Sequence, residues 1–136
     1  MKPLVDVSAA PLVQVTFFDE ITIEEGVAHF DEIATVALEA GPVAIIVDLT
    51  RARFFSSHVR SRAAQEMQRV FERAGHRIVG VAHVVPSLPV RGALTVIQWL
   101  APPPFPSFVS LTHPPALRWA RERLAEAGRA TASTSR

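Results

Sequence analysis

Ser56, Ser57 and His58 follow the segment Leu49-Thr50-Arg51-Ala52-Arg53-Phe54-Phe55, which leaves the apolar stretch Val43-Ala44-Ile45-Ile46-Val47-Asp48. An amphipathic helical pattern begins at that serine pair. A hydroxyl at a helix N-terminus stands beside unpaired backbone N–H groups, so Ser57 can cap the helix, carry a phosphate or meet a partner's carboxylate. A phosphoryl group there would bring a charge of about −1.5 to −2 to the positive end of the helix, with Arg53, His58 and Arg60 close in sequence. Asp48 ends the apolar stretch, at the place where α/β proteins set ligand contacts. Ser57 and Ser56 are therefore the candidate phosphorylation residues, and Asp48, Arg53, His58 and Arg60 the candidate partner-binding residues.

The remaining polar residues do not assemble a catalytic pattern. His29, His58, His76, His83 and His113 are scattered, without the i, i+4 pair or carboxylate spacing of a metal site. They read as surface or loop histidines, except His83, which lies in an apolar strand and is expected to be a hydrogen-bonded core residue, with a cavity wall as the alternative. Ser57 and His58 are neighbours in a helix and point in different directions, no Gly-x-Ser-x-Gly elbow or glycine-rich phosphate loop is present, and Asp48 has no base or metal beside it. The expectation is a protein that is not an enzyme, with no metal and no cofactor.

A second signal lies in the segment from Leu88 to Leu100. Leu88, Val90, Ala93, Leu94, Val96, Ile97, Trp99 and Leu100 run almost all the way round a helix, interrupted chiefly by Arg91, Thr95 and Gln98. A surface helix needs only one apolar stripe. The excess, continued by the prolines up to Phe105, implies a second copy of the chain, an apolar ligand or lipid surface, or cover by the flanking loop and N-terminal segment. Val90, Leu94, Ile97, Trp99 and Phe105 are the candidate self-association or apolar-ligand residues.

Composition narrows the classes. A chain of 136 residues that is 49% hydrophobic is a single domain with a core of its own, not a disordered segment. There is no cysteine, no apolar run near the roughly 20 residues of a spanning helix, and no signal-peptide pattern at Met1-Lys2-Pro3, so a cytoplasmic protein is expected. The net charge of +1 conceals a division: residues 1–50 carry nine acids against Lys2 alone, and residues 51–136 carry thirteen arginines against four acids. The arginines punctuate helix faces rather than alternating with aromatics, which disfavours nucleic acid and suits an acidic and a basic helix lying near one another.

These residues are carried by alternating elements. Leu4–Val7 and Leu12–Phe18 read as a strand pair. Thr22-Ile23-Glu24-Glu25 has the form of a capping box, and Ile23, Val27, Phe30, Ile33, Ala34 and Ala37 then recur at helical spacing up to Gly41-Pro42. A central strand from Val43 to Asp48, a helix from Ser57 to Ala74, a strand from Arg77 to Val85, a helix capped by Ser87, an extended proline segment, a short strand at Phe108–Leu111 and a last helix from Thr112 follow. The expected domain spans residues 1–127, with 128–136 as a mobile tail. Strands separated by helices imply right-handed crossovers and an α/β fold with a mixed, mostly parallel sheet of about five strands and about four helices, the N-terminal hairpin supplying an antiparallel edge.

With this order, the chain resembles a STAS domain, the fold of bacterial anti-sigma-factor antagonists and of STAS/SEC14 relatives. The resemblance covers about residues 3–126 and rests on the element order, on Phe17-Phe18-Asp19-Glu20-Ile21-Thr22 before an acidic helix, on Val47-Asp48-Leu49 followed by a serine pair, and on Ala116-Leu117-Arg118-Trp119-Ala120. In antagonists of this family the loop after the central strand reads Asp-Ser-Ser/Thr-Gly, and a partner kinase phosphorylates the first hydroxyl. Aligned without gaps, Ser57 takes the phosphorylated position, Ser56 replaces the acid and Val59 the glycine. The resemblance implies a regulatory or scaffolding protein of bacterial-type signalling. It would act through protein–protein contacts with a kinase or anti-sigma-type regulator, and as a homodimer. The alternative is a carrier of a small apolar ligand or lipid, with peripheral lipid contact.

Overall fold

Alternation along Leu12–Asp19 makes that segment a strand with one face in the core. Val13, Val15 and Phe17 are buried, while the residues between them are half-buried. In the computed structural model, which describes residues 3–20, 22–53 and 57–134 (side chains of Ile23 and 131–134 excepted), this strand is β2. β1 (Leu4–Asp6) pairs antiparallel with it, Leu4 opposite Thr16 and Asp6 opposite Gln14. β3 (Val43–Ala52), β4 (Ile78–Val84) and β5 (Ser107–Ser110) continue the sheet in the order β1-β2-β3-β4-β5, each parallel to its neighbour after β2. The expected mixed, mostly parallel sheet with an antiparallel N-terminal hairpin is thus the observed one.

Helices cover both faces, as parallel strands require. α1 (Ile23–Ala40), α2 (Ser57–Ala74) and α3 (Leu88–Leu100) lie over a core that includes Val15, Ile45, Val85, Ala37, Val70 and Leu94. α4 (His113–Thr134) covers the other face, where Ala116 and Ala120 meet Ile46, Ala82 and Val84. Ile45 and Ile46, adjacent on β3, enter opposite cores, and each fully buried side chain of this size stabilises the fold by about 1.5–3 kcal/mol.

Local signals set the ends of α1. Thr22 Oγ1 accepts the backbone N–H of Glu25 at 3.2 Å, satisfying one donor of the first turn. At the other end the Gly41 N–H donates to the Ala37 carbonyl at 3.0 Å, and a Cβ on residue 41 would overlap that oxygen, so only glycine fits. Ser87 occupies the N-cap of α3, but its side chain makes no capping bond.

Two boundaries differ from the expectation. β3 runs four residues beyond Asp48 to Ala52, because a register shift between Thr16 and Phe18 lets β2 keep pace, with Phe18 opposite Arg51 and Asp19 opposite Ala52. The Arg53 N–H closes this end on the Asp19 carbonyl at 3.0 Å. α4 continues past Gly128 to Thr134, where the sequence suggested an end. One exposed glycine costs a helix only about 1 kcal/mol, and the alanines around it favour continuation.

Candidate functional site

The longer β3 shortens the connection to α2 to residues 53–56, of which Phe54, Phe55 and Ser56 lie outside the described residues. Ser57 is the first residue of α2 and is exposed, as is His58. Val59 turns inward against the core, and Arg60 is half-buried. Arg53 is exposed at the end of β3, and its guanidinium approaches the Asp19 carboxylate at 3.8 Å, with both side chains well solvated. An ion pair of that kind contributes little, leaving Arg53 available to another anion.

Asp48 does not join this cluster. The alternation of β3 puts it on the face of Ile46, toward α4, whereas α2 packs on the opposite face. Its Oδ1 accepts the Thr50 N–H at 2.9 Å, within the strand rather than at its end. Asp48 is a partner-binding candidate in the sequence because the apolar stretch ends there, whereas β3 ends four residues later, at Ala52.

The apolar residues of α3 divide into two sets. Val90, Leu94 and Ile97 are 1%, 6% and 5% exposed and belong to the core, so they cannot form an outer contact face. Phe105 is half-buried and packs edge-on against Phe71, with centroids 5.2 Å apart. Of the five candidates only Trp99, 76% exposed, faces solvent. It is joined along the outer side of the helix by Leu88, Val96 and Leu100, all exposed.

Beneath the helices lies a cavity of about 130 Å³ between the sheet and α1, α2 and α3. Its wall includes Phe17, Ile33, Val59, Met67, Leu94, Ile97 and Phe105, with His29 and His83 among them. Three of the five α3-segment candidates therefore line it, while Val90 and Trp99 do not.

His83 is 6% exposed; its Nδ1 has no hydrogen-bond partner among the described residues, and burial lowers its pKa to about 4, opposed by a hydrogen bond to the Phe108 backbone. Hydrogen-bonded core residue and cavity wall, posed as alternatives in the sequence, are both features of this one ring.

His29 was expected on the surface, and the structure corrects that. It is 4% exposed, 4.7 Å from the Phe17 ring in a T-shaped contact, with no partner for its Nδ1 among the described residues and a pKa lowered by burial to about 3. It lies one turn before Ile33 on the inward stripe of α1, a position that counting apolar residues alone passes over.

Glu66 was missed as well. It is 3% exposed and lies at the cavity, held by Arg62 at 3.2 Å and Arg69 at 2.8 Å, whose side chains reach solvent. The arginines at i−4 and i+3 around one acid were the available signal.

Among the described residues, no group of three His, Cys, Asp or Glu side chains is placed to hold a metal ion, and no helix is long and apolar enough to cross a membrane.

No family model matches this sequence, and no curated protein is detectably similar to it. Solved structures are similar in three dimensions. An anti-sigma factor antagonist from Mycobacterium paratuberculosis superposes with a TM-score of 0.55 at 21% identity, over 88% of this chain and 93% of that one. An uncharacterized protein with a SpoIIAA-like fold from Shewanella loihica PV-4 gives 0.58 at 16% identity, over 87% and 91%. The anti-sigma factor antagonist SpoIIAA in its unphosphorylated form gives 0.59 at 17% identity, over 88% and 97%. At these identities the likeness is one of fold: a five-stranded mixed sheet entered through an antiparallel hairpin and covered by four helices is the SpoIIAA-like, STAS-type fold, and this chain has it.

Proposed function

We propose that this protein is a non-enzymatic regulator that works by binding another protein at the start of α2. The observation that carries this reading is the exposed pair Ser57 and His58 on the first turn of α2, directly after the central strand of a fold shared with anti-sigma factor antagonists. The first turn of a helix offers N–H groups and a positive dipole end to an acidic side chain or a phosphoryl group. Arg53 and Arg60 supply further positive charge nearby in sequence. Phosphorylation at Ser57 or Ser56 by a kinase would reverse the sign of this surface, and a partner chosen for acidity would then leave.

Self-association is the second part of the proposal and uses a different surface. Leu88, Val96, Trp99 and Leu100 give α3 an outer apolar stripe, which a second copy of the chain would cover in a two-fold contact. A cytoplasmic setting suits a regulator of this kind.

Quantitative affinity capture with the wild-type chain and with Ser57→Asp tests the partner surface. A helix start accepts aspartate without loss of stability, so a partner retained by the wild type and released by the variant supports the reading. Identical sets of retained proteins would overturn it. For self-association, sedimentation should show a dimer that Trp99→Glu converts to a monomer; a wild-type monomer at about 100 μM, weaker than about 5.5 kcal/mol of association, refutes that part.

A further inference from the structure

We propose that the cavity between the sheet and α1–α3 is a binding site for a small, neutral, mainly apolar molecule that carries one O–H or N–H donor for His83. The proposal is independent of the α2 surface and stands on size, lining and an unsatisfied acceptor. A volume of about 130 Å³ is close to the roughly 150 Å³ at which apolar protein cavities stay dry and accept a benzene-sized guest. The wall is dominated by Phe17, Phe30, Ile33, Met67, Leu94 and Ile97, which would favour an aromatic or compact aliphatic body.

The polar requirement comes from His83. Its Nδ1 is without a partner among the described residues, and the neutral tautomer with its proton on Nε2 presents a lone pair there. Such a buried acceptor is costly to leave unmade. His29, on the same wall, likewise has no partner for its Nδ1 among the described residues and is buried against Phe17 and Phe30. Burial keeps both imidazoles uncharged near neutral pH, so neither would hold an anionic ligand by charge. The chemistry that matches is a phenol, an indole or a compact alcohol: an apolar body with one donor.

α1 provides a way to close the site without harming the fold. Gly26 lines the cavity, and a Cβ built on it meets nothing within 4 Å. Gly26→Leu should fill the space with a good helix former.

The test is a titration of the isotope-labelled chain with phenol and with toluene at neutral pH, followed by amide chemical shifts. Saturable shifts confined to cavity-lining residues are expected for both probes in the wild type. His83→Phe keeps an aromatic ring but removes the acceptor, and should lower the phenol-to-toluene affinity ratio about tenfold or more, the effect of stranding a buried hydroxyl. Gly26→Leu should abolish binding of both probes while the spectrum stays folded. No saturable binding of phenol by the wild type would overturn the proposal. So would an unchanged ratio in His83→Phe, or undiminished binding in Gly26→Leu.

Discussion

Lowering the pH from 7.5 to 5.0 should destabilise this protein by about 4 kcal/mol, through His29 and His83 alone. Both imidazoles are buried, 4% and 6% exposed, and both have pKa values pushed down from 6.5, to about 3 and about 4. In the unfolded chain they take up protons near 6.5, whereas in the folded chain they stay neutral until the pH falls far lower. The unfolded state therefore binds more protons throughout the interval, so stability is full above about pH 7 and falls as the pH drops through 6.5. Each histidine loses about 1.4 kcal/mol per pH unit within the window, which gives about 2 kcal/mol apiece at pH 5. Asp6 does not contribute there, because its pKa lies below 3.8, lowered by hydrogen bonds from Ser8. Urea unfolding followed by tryptophan fluorescence at several pH values measures the effect. His29→Phe, which places a phenyl ring between Phe17 and Phe30, should remove about half of the loss. Equal stability at pH 7.5 and 5.0, or a His29→Phe variant with the full wild-type pH slope, would refute the reasoning.

Gly80 on β4 lies under the Trp119 indole, and a Cβ there would stand 2.7 Å from the Trp119 ring, which is stacked on Phe108 and approached by Arg123. Gly80→Ala should cost about 1–3 kcal/mol in denaturant unfolding by displacing that stack; a neutral result would contradict the packing. Thr22→Ala should cost about 1 kcal/mol, since it removes the bond to the Glu25 N–H, whereas Thr22→Ser should cost much less. The Glu66 cluster should respond asymmetrically in thermal unfolding. Glu66→Leu frees two arginines that water can solvate and should change stability by no more than about 1 kcal/mol, while the double variant Arg62→Ala/Arg69→Ala strands a buried carboxylate and should cost several times as much. Equal losses would argue against it.

The mixed sheet and the order of elements along the chain were legible because each strand carries its own hydropathic signature: alternation on β2, apolar on both faces for the central part of β3, and punctuation by Gly41, Pro42 and Gly75. The end of β3 was not. Thr50, Arg51 and Ala52 look like loop in isolation and become strand only because the irregularity after Thr16 brings Phe18 and Asp19 alongside. The excess apolarity of α3 was visible, but which of its residues faced outward was not, because periodicity alone gives no direction for a helix apolar on nearly every side. Packing into the core beside α2 buries Val90, Leu94 and Ile97 and leaves Leu88 and Trp99 in solvent. His29 and Glu66 escaped for a related reason. Counting only apolar residues on the inward stripes of α1 and α2 overlooks polar side chains at the same spacing, and these two face the cavity. Ser57 stood out in the sequence and is exposed in the structure, whereas the reading of Asp48 as a strand-end contact depended on an end that lies at Ala52.

The central claim, that the start of α2 is the surface this protein uses to bind another, is tested most directly by hydrogen exchange on the chain with and without a captured partner. Added protection is expected at residues 53–62, reduced in Ser57→Asp. Protection confined to β1 or to α4, with the first turns of α2 exchanging as in the free chain, would contradict it.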